Sequence, residues 1–204
     1  VSDPHYPVVA STPIYRGRIL SLRKDDVRMS DGAVAVREVV EHPGAVAIVA
    51  LQDDGQVVLV HQYRHPVRTF LYELPAGLLD MPGEAPLEAA RRELFEETGL
   101  VAADWSVLLD IFTSPGMTDE VIRIYLARGI SESTDRFHPE DEEITITVVR
   151  LPLDDAVARV QSGQITNAAA VAGICATVLA RDAEWRPLRP TDAPWLGEPG
   201  RAAS

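Results

Sequence analysis

A single cysteine, Cys175, stands in 204 residues. No intrachain disulfide can form, so the fold must rest on its core, which suits a reducing compartment. Basic residues are also in short supply: 19 Lys and Arg face 31 Asp and Glu, leaving a net charge of −12. Such a surface repels phosphodiester backbones and anionic lipid, which excludes sequence-independent binding to nucleic acid or to a membrane surface. An anionic substrate must instead be drawn in locally, by metal ions and a few arginines. No apolar run reaches the length of a membrane span, and the first residues lack the basic-then-apolar order of a signal peptide. The expected location is the cytoplasm. Cys175 itself falls in an apolar helical run and is expected to be a buried small residue. Hydrophobic content of 46% and charged content of 25% are ordinary, and the length supports one well-cored domain with a smaller appendage.

Three prolines and little periodicity mark residues 1–13 as an extended arm. Two strand-like runs follow, 19–29 and 33–40, joined by the tight-turn signal Ser30-Asp31-Gly32. His42-Pro43-Gly44 breaks that pattern and separates a small N-terminal antiparallel sheet, residues 1–42, from the main domain, residues 43–186. Residues 44–51 (GAVAIVAL) and 57–62 read as buried central strands, and 71–74 as a short strand. Further strands are expected at 105–111, 121–127 and 144–151, with helices at 154–161 and from an Asn167 cap to about Ala180. From Pro187 to Ser204 the chain is a Pro/Gly-rich tail, much of it expected to be loosely ordered. Strands, one helix, strands and then helices imply an α/β chain (mixed α+β) whose mixed sheet lies between helices, an α/β/α sandwich.

The informative stretch is GLLDMPGEAPLEAARRELFEETGL, Gly77 to Leu100. Pro86 suits a first helical turn and Gly99 the position just past a helix end, so the spacing predicts one helix over 86–98. At 100° per residue Leu87, Ala90, Leu94 and Thr98 face inward, with Glu93 and Glu97 on the shoulder of that side and Glu96 further round. Three carboxylates within a turn repel each other unless a cation sits among them. An oxygen-only cluster of this kind suits Mg²⁺ or Mn²⁺, especially where a substrate phosphate completes the shell.

The set Glu84, Arg92, Glu93, Glu96, Glu97 and Gly99 resembles the box of the Nudix hydrolases, with six residues instead of five between Gly77 and Glu84. QYRHP, YELPAG and Pro115 are similar to the ADP-ribose pyrophosphatase branch of that family. The resemblance implies the Nudix fold and hydrolysis of ADP-ribose to AMP and ribose 5-phosphate with two or three divalent ions. Its implied metal ligands are Glu93, Glu96, Glu97 and the carbonyl of Ala76. Arg92 is assigned to orienting those carboxylates and Glu84 to bracing it. The base is implied on the loop Glu140-Asp141-Glu142-Glu143, with Glu142 favoured by spacing over Glu140 and Glu143. Arg37, Arg64 and Glu73 match positions that touch the nucleotide or terminal ribose in similar enzymes. The branch also implies a homodimer that exchanges the N-terminal sheet. Another nucleoside diphosphate sugar such as GDP-mannose, or a dinucleotide, is the alternative substrate. A non-catalytic nucleotide sensor is disfavoured by the intact acids and the lack of a segment for a DNA-binding module.

Overall fold

The computed structural model describes residues 6–134, 146–186 and 188–195. Their contacts divide into two compact units. One is built on the residues up to Gly44 together with Phe112–Val121, the other on Ala45–Ile111 and the described part of Ile122–Leu196.

In the first unit β1 (Val8–Arg16), β2 (Ser21–Arg28) and β3 (Val34–Glu41) form an antiparallel sheet in that order. The hairpin is where the turn signal puts it, with Gly32 at φ 86° supplying the left-handed residue of the turn. The extended arm expected over 1–13 is corrected: from Val8 it is a paired strand. Its pairing with β2 is irregular between Pro13 and Tyr15. β1 is the outer strand of the sheet, where a missing N–H can be tolerated, and that is why its proline content obscured it. Inside this sheet Asp25 is buried and accepts from Ser11 Oγ at 2.7 Å and Arg23 Nε at 3.0 Å. The Arg23 guanidinium also pairs with Glu41.

The second unit holds a sheet ordered β10-β5-β4-β9-β8, from strands Thr147–Pro152, Gln56–Arg64, Ala45–Leu51, Val121–Glu132 and Leu100–Phe112. β4 runs parallel to β9 and antiparallel to β5, so the sheet is mixed. Short strands β6 (Thr69–Glu73) and β7 (Ala76–Leu78) add to β5 and β4. All seven residues of β4 are buried, because both faces are covered and the strand alternates between two cores. Ala47, Val49 and Leu51 pack with residues of α2 (Leu153–Gln161) and α3 (Ala168–Asp182). Val46, Ile48 and Ala50 pack with Ala89, Ala90 and Leu94 of α1 (Pro86–Thr98). This is the expected α/β/α sandwich. Asn167 caps α3 by accepting from the Ala170 N–H at 3.0 Å.

Two expectations fail here. Cys175 is exposed: the buried residues of α3 are Ala169, Ala170, Gly173, Ile174 and Thr177, and Cys175 lies about 100° from Ile174, off that stripe. The loose tail does not hold for Leu188–Trp195 either. Arg123, 2% exposed, donates to Asp110 at 2.7 Å and to the Ala193 carbonyl at 2.8 Å, and lies 4.4 Å from the Trp195 ring centroid. Arg189 donates to the same Asp110 at 3.0 Å. A buried arginine with one carboxylate partner gains from these further acceptors, and they fix the segment.

Candidate active site

The site forms where β7 meets α1. Pairing of Ala76 with Ala47 and of Gly77 with Val46 lays β7 along β4, and Ile48 donates to the Pro75 carbonyl at 2.8 Å. α1 begins at Pro86 and ends where Gly99, at φ 71°, donates to the Phe95 carbonyl at 2.8 Å. These are the bounds its sequence predicts. The helix then buries Leu94, Glu97 and Thr98 against the sheet.

Glu97 is 9% exposed, and its Oε2 accepts the backbone N–H of Ala76 at 3.0 Å. Burial pushes its carboxyl up to about 8, the Ala76 N–H opposes this, and the nearby charge of Glu93 adds to it. The Glu93 carboxylate packs on Gly77 so closely that a methyl group at position 77 would overlap it. Only glycine leaves that room.

Arg92 occupies the gap between the acids. Its Nε and Nη2 reach the two oxygens of Glu84 at 2.9 and 3.0 Å, a two-pronged grip, while Nη1 donates to Glu93 and Glu96 at 2.7 Å each. The hydrogen bonds to Glu84 lead in raising the guanidinium's already high affinity for its proton, and they hold Glu84 below the usual carboxylate range. A planar fork can serve three carboxylates in this way; a point charge could not.

Arg64 and Glu73 stand on the β5–β6 hairpin and bind each other. Arg64 donates to the buried Glu73 through Nε at 3.0 Å and Nη2 at 2.7 Å, and Gln62 adds a contact at 3.3 Å. Both charges act on Glu97. Gln62 opens the QYRHP run, but sequence reasoning gave it no role of its own; the alternation that puts Gln62 and Arg64 on one side of β5 is the signal for it. Arg37 belongs to the N-terminal unit, on β3. It is exposed, with Nη1 donating to the Val36 carbonyl at 2.9 Å. Glu140, Glu142 and Glu143 lie outside the described residues.

No three His, Cys, Asp or Glu side chains among the described residues converge at metal-ligand spacing. The donor chemistry nevertheless fits a hard divalent cation, since Glu93, Glu96, Glu97 and the Ala76 carbonyl offer only oxygen. Burial and the Glu93 charge both work against an ionised Glu97, and a cation beside it relieves both.

Residues 41–170 match the NUDIX domain, and residues 7–40 match the nucleoside diphosphate sugar hydrolase N-terminal domain. The chain belongs to the Nudix family, and the sandwich is its fold. It is 44% identical to the ADP-ribose pyrophosphatase of Mycobacterium tuberculosis, over 98% of this chain and 95% of that one. It is 36% identical to the methanol dehydrogenase activator of Bacillus methanolicus, over 81% of this chain and 89% of the relative. A crystal structure of an ADP compounds hydrolase superposes with a TM-score of 0.76 at 22% identity, over 89% of this chain and 96% of the other. That last likeness speaks to the fold. No described helix is long and apolar enough to cross a membrane.

Proposed function

We propose that this chain hydrolyses the diphosphate bond of ADP-ribose, with Mg²⁺ or Mn²⁺, to AMP and ribose 5-phosphate. The observation that carries the reading is Glu97, a carboxylate buried against β7 that accepts one hydrogen bond among the described residues, from the Ala76 N–H. Such a group is costly to keep ionised without a cation. The substrate comes from the 44% identical relative, which bears the name ADP-ribose pyrophosphatase.

Two or three divalent ions, when bound, neutralise the diphosphate oxygens and make an attacking water more acidic. Glu93, Glu96, Glu97 and the Ala76 carbonyl are the residues to hold them. Arg92 fixes the carboxylates so that little reorganisation is left for the transition state. Glu142 takes the proton of the attacking water as general base. Arg64 contacts the nucleotide, and Glu73 keeps that guanidinium in place.

Residues 1–42 form the exchanged sheet of a homodimer, 43–186 the catalytic domain and 187–204 a tail. In support, β1 is exposed along its whole length, with Val8, Ile14 and Tyr15 at 53%, 58% and 59%, more apolar surface on one strand than a monomer needs. Arg37, on the same sheet, then serves the partner subunit's substrate. A monomer in sedimentation at micromolar concentration would overturn the dimer. The single cysteine suits the cytoplasm.

The test is product analysis after incubating the pure protein with ADP-ribose, with Mg²⁺ and with EDTA. AMP and ribose 5-phosphate appearing only with metal is the expected outcome. Two GDP-mannose pyrophosphatases from Yersinia species, at 34% and 33% identity, make that sugar nucleotide the comparison substrate. Its faster cleavage would move the specificity there.

A further inference from the structure

The turn between β4 and β5, the start of α2, the end of α3 and Arg128 of β9 enclose a cavity of about 310 Å³ that shares no residue with the acidic site. Its polar groups lack partners in a complementary way. Gln52 Oε1 is buried and accepts no hydrogen bond among the described residues. Arg128 stacks 5.1 Å from the centroid of the Trp185 ring, and its in-plane N–H donors make no hydrogen bond or ion pair among the described residues. The parallel pairing of β4 with β9 ends at Ala50 and Ala127, so Gln52, just past the end of β4, and Arg128, within β9, follow the same end of the ladder. Arg181, also in the lining, is already matched by Asp154 at 2.8 Å and Asp182 at 3.2 Å.

The wall that carries Trp185 is strained. Glu184 and Trp185 both adopt left-handed backbone, at φ 54° and 63°, and the Trp185 N–H reaches back to the Ala180 carbonyl at 2.7 Å. Two consecutive non-glycine residues in that region persist only when their surroundings hold them, and such strain concentrates at ligand sites.

We propose that this cavity is a second ligand site that takes a nucleoside monophosphate. The phosphate meets the unmatched guanidinium of Arg128, where a bidentate contact forms in the plane that stacking leaves open. An amine or ring N–H of the base satisfies Gln52 Oε1, and the Trp185 indole supplies the apolar wall. Asp53, which also lines the cavity, accepts from ribose hydroxyls. A volume at the lower bound of small-molecule pockets suits a monophosphate better than a dinucleotide or a nucleotide sugar. The site is one of binding only, and it stands whether or not ADP-ribose is the substrate.

Calorimetric titration of the full chain in EDTA, with AMP, inorganic phosphate and adenosine as separate probes, tests it. AMP should bind wild type and Glu97→Gln alike and at least tenfold more weakly to Arg128→Ala. Gln52→Leu, which removes the acceptor that the base N–H meets, should also weaken AMP at least tenfold and keeps the test alive if Arg128→Ala misfolds. Equal affinity in wild type and both cavity variants overturns the proposal, as does loss in Glu97→Gln alone. Inorganic phosphate or adenosine binding as tightly as AMP, or no probe binding at millimolar concentration, overturns it as well.

Discussion

Glu97 of α1 and Ala76 of β7 are joined across 21 positions of sequence by one hydrogen bond of 3.0 Å, from the Ala76 N–H to Glu97 Oε2. This contact ties the helix to the strand edge at the point where a buried carboxylate is held ready for a cation. Helix position, sheet register and candidate chemistry therefore depend on one another. Moving the helix by one residue would bring Glu96 or Thr98 to that point in place of Glu97.

Glu97→Gln keeps the volume and can still accept the Ala76 N–H, but it removes the charge. Turnover of ADP-ribose should fall on the order of 10³-fold, and the variant should fold. Binding to the native state raises melting temperature by mass action. Millimolar Mg²⁺ should therefore raise the melting point of wild type and leave that of Glu97→Gln nearly unchanged. An equal shift in both would remove Glu97 from the ligand set.

Arg92→Lys separates charge from geometry. An ammonium group cannot hold both oxygens of Glu84 and also reach Glu93 and Glu96. The expected loss is about 1–2 kcal/mol of stability, since the guanidinium is partly exposed, and about 10–100-fold in kcat, the range typical of residues that orient metal ligands. KM for ADP-ribose should change little. A raised KM with unchanged kcat would make Arg92 a substrate contact instead.

Local signals carried much of this into the sequence. Pro86 and Gly99 bracket α1, Asn167 starts α3 by its own side chain, and the run GAVAIVAL reads as a strand covered on both faces. What could not be read depends on partners far along the chain. β1 becomes a strand through β2, and Leu188–Trp195 is ordered because Arg123 reaches Ala193, 70 positions away. The packing of Glu93 on Gly77 is of the same kind: the motif shows both residues but not that one must be small to admit the other. Arg64 and Glu73 were legible as charges near the site, whereas their mutual grip required the β5–β6 register.

Acid should loosen the N-terminal sheet through Asp25. Burial pushes this carboxyl up, but the hydrogen bonds from Ser11 and Arg23 and the Arg23 charge outweigh it, leaving the group below its ordinary 3.8. A carboxyl lowered in the folded state contributes stability above its unfolded pKa and loses it as pH falls through the folded value. Wild type should therefore lose stability progressively below about pH 4. Asp25→Asn should be less stable at neutral pH and show a shallower acid slope in urea melts. Parallel slopes in the two proteins would assign acid lability elsewhere.

Glu142→Gln should lower kcat on the order of 10²–10⁴-fold, the usual worth of a positioned general base, and leave the Mg²⁺-induced rise in melting temperature intact. That pairing separates a base from a ligand. Nearly full turnover would transfer the role to Glu140 or Glu143, and the matching glutamine variants would then decide between them.

Arg64 and Glu73 pose the question of whether a charge pair serves the fold or the substrate. Glu73 is 4% exposed, while Arg64 is 43% exposed at its side chain and caps it from the solvent side. Arg64→Ala leaves a buried carboxylate without its cation, so stability should fall by about 2 kcal/mol. If that were its whole role, Arg64→Ala with Glu73→Gln would recover both stability and KM, because a neutral amide needs no counter-ion. If Arg64 also meets the nucleotide, the double variant recovers stability while KM for ADP-ribose stays raised about tenfold or more, the worth of a lost charged hydrogen bond. We expect the second result. Melting curves and steady-state kinetics on the four members of this cycle give both readouts from the same preparations.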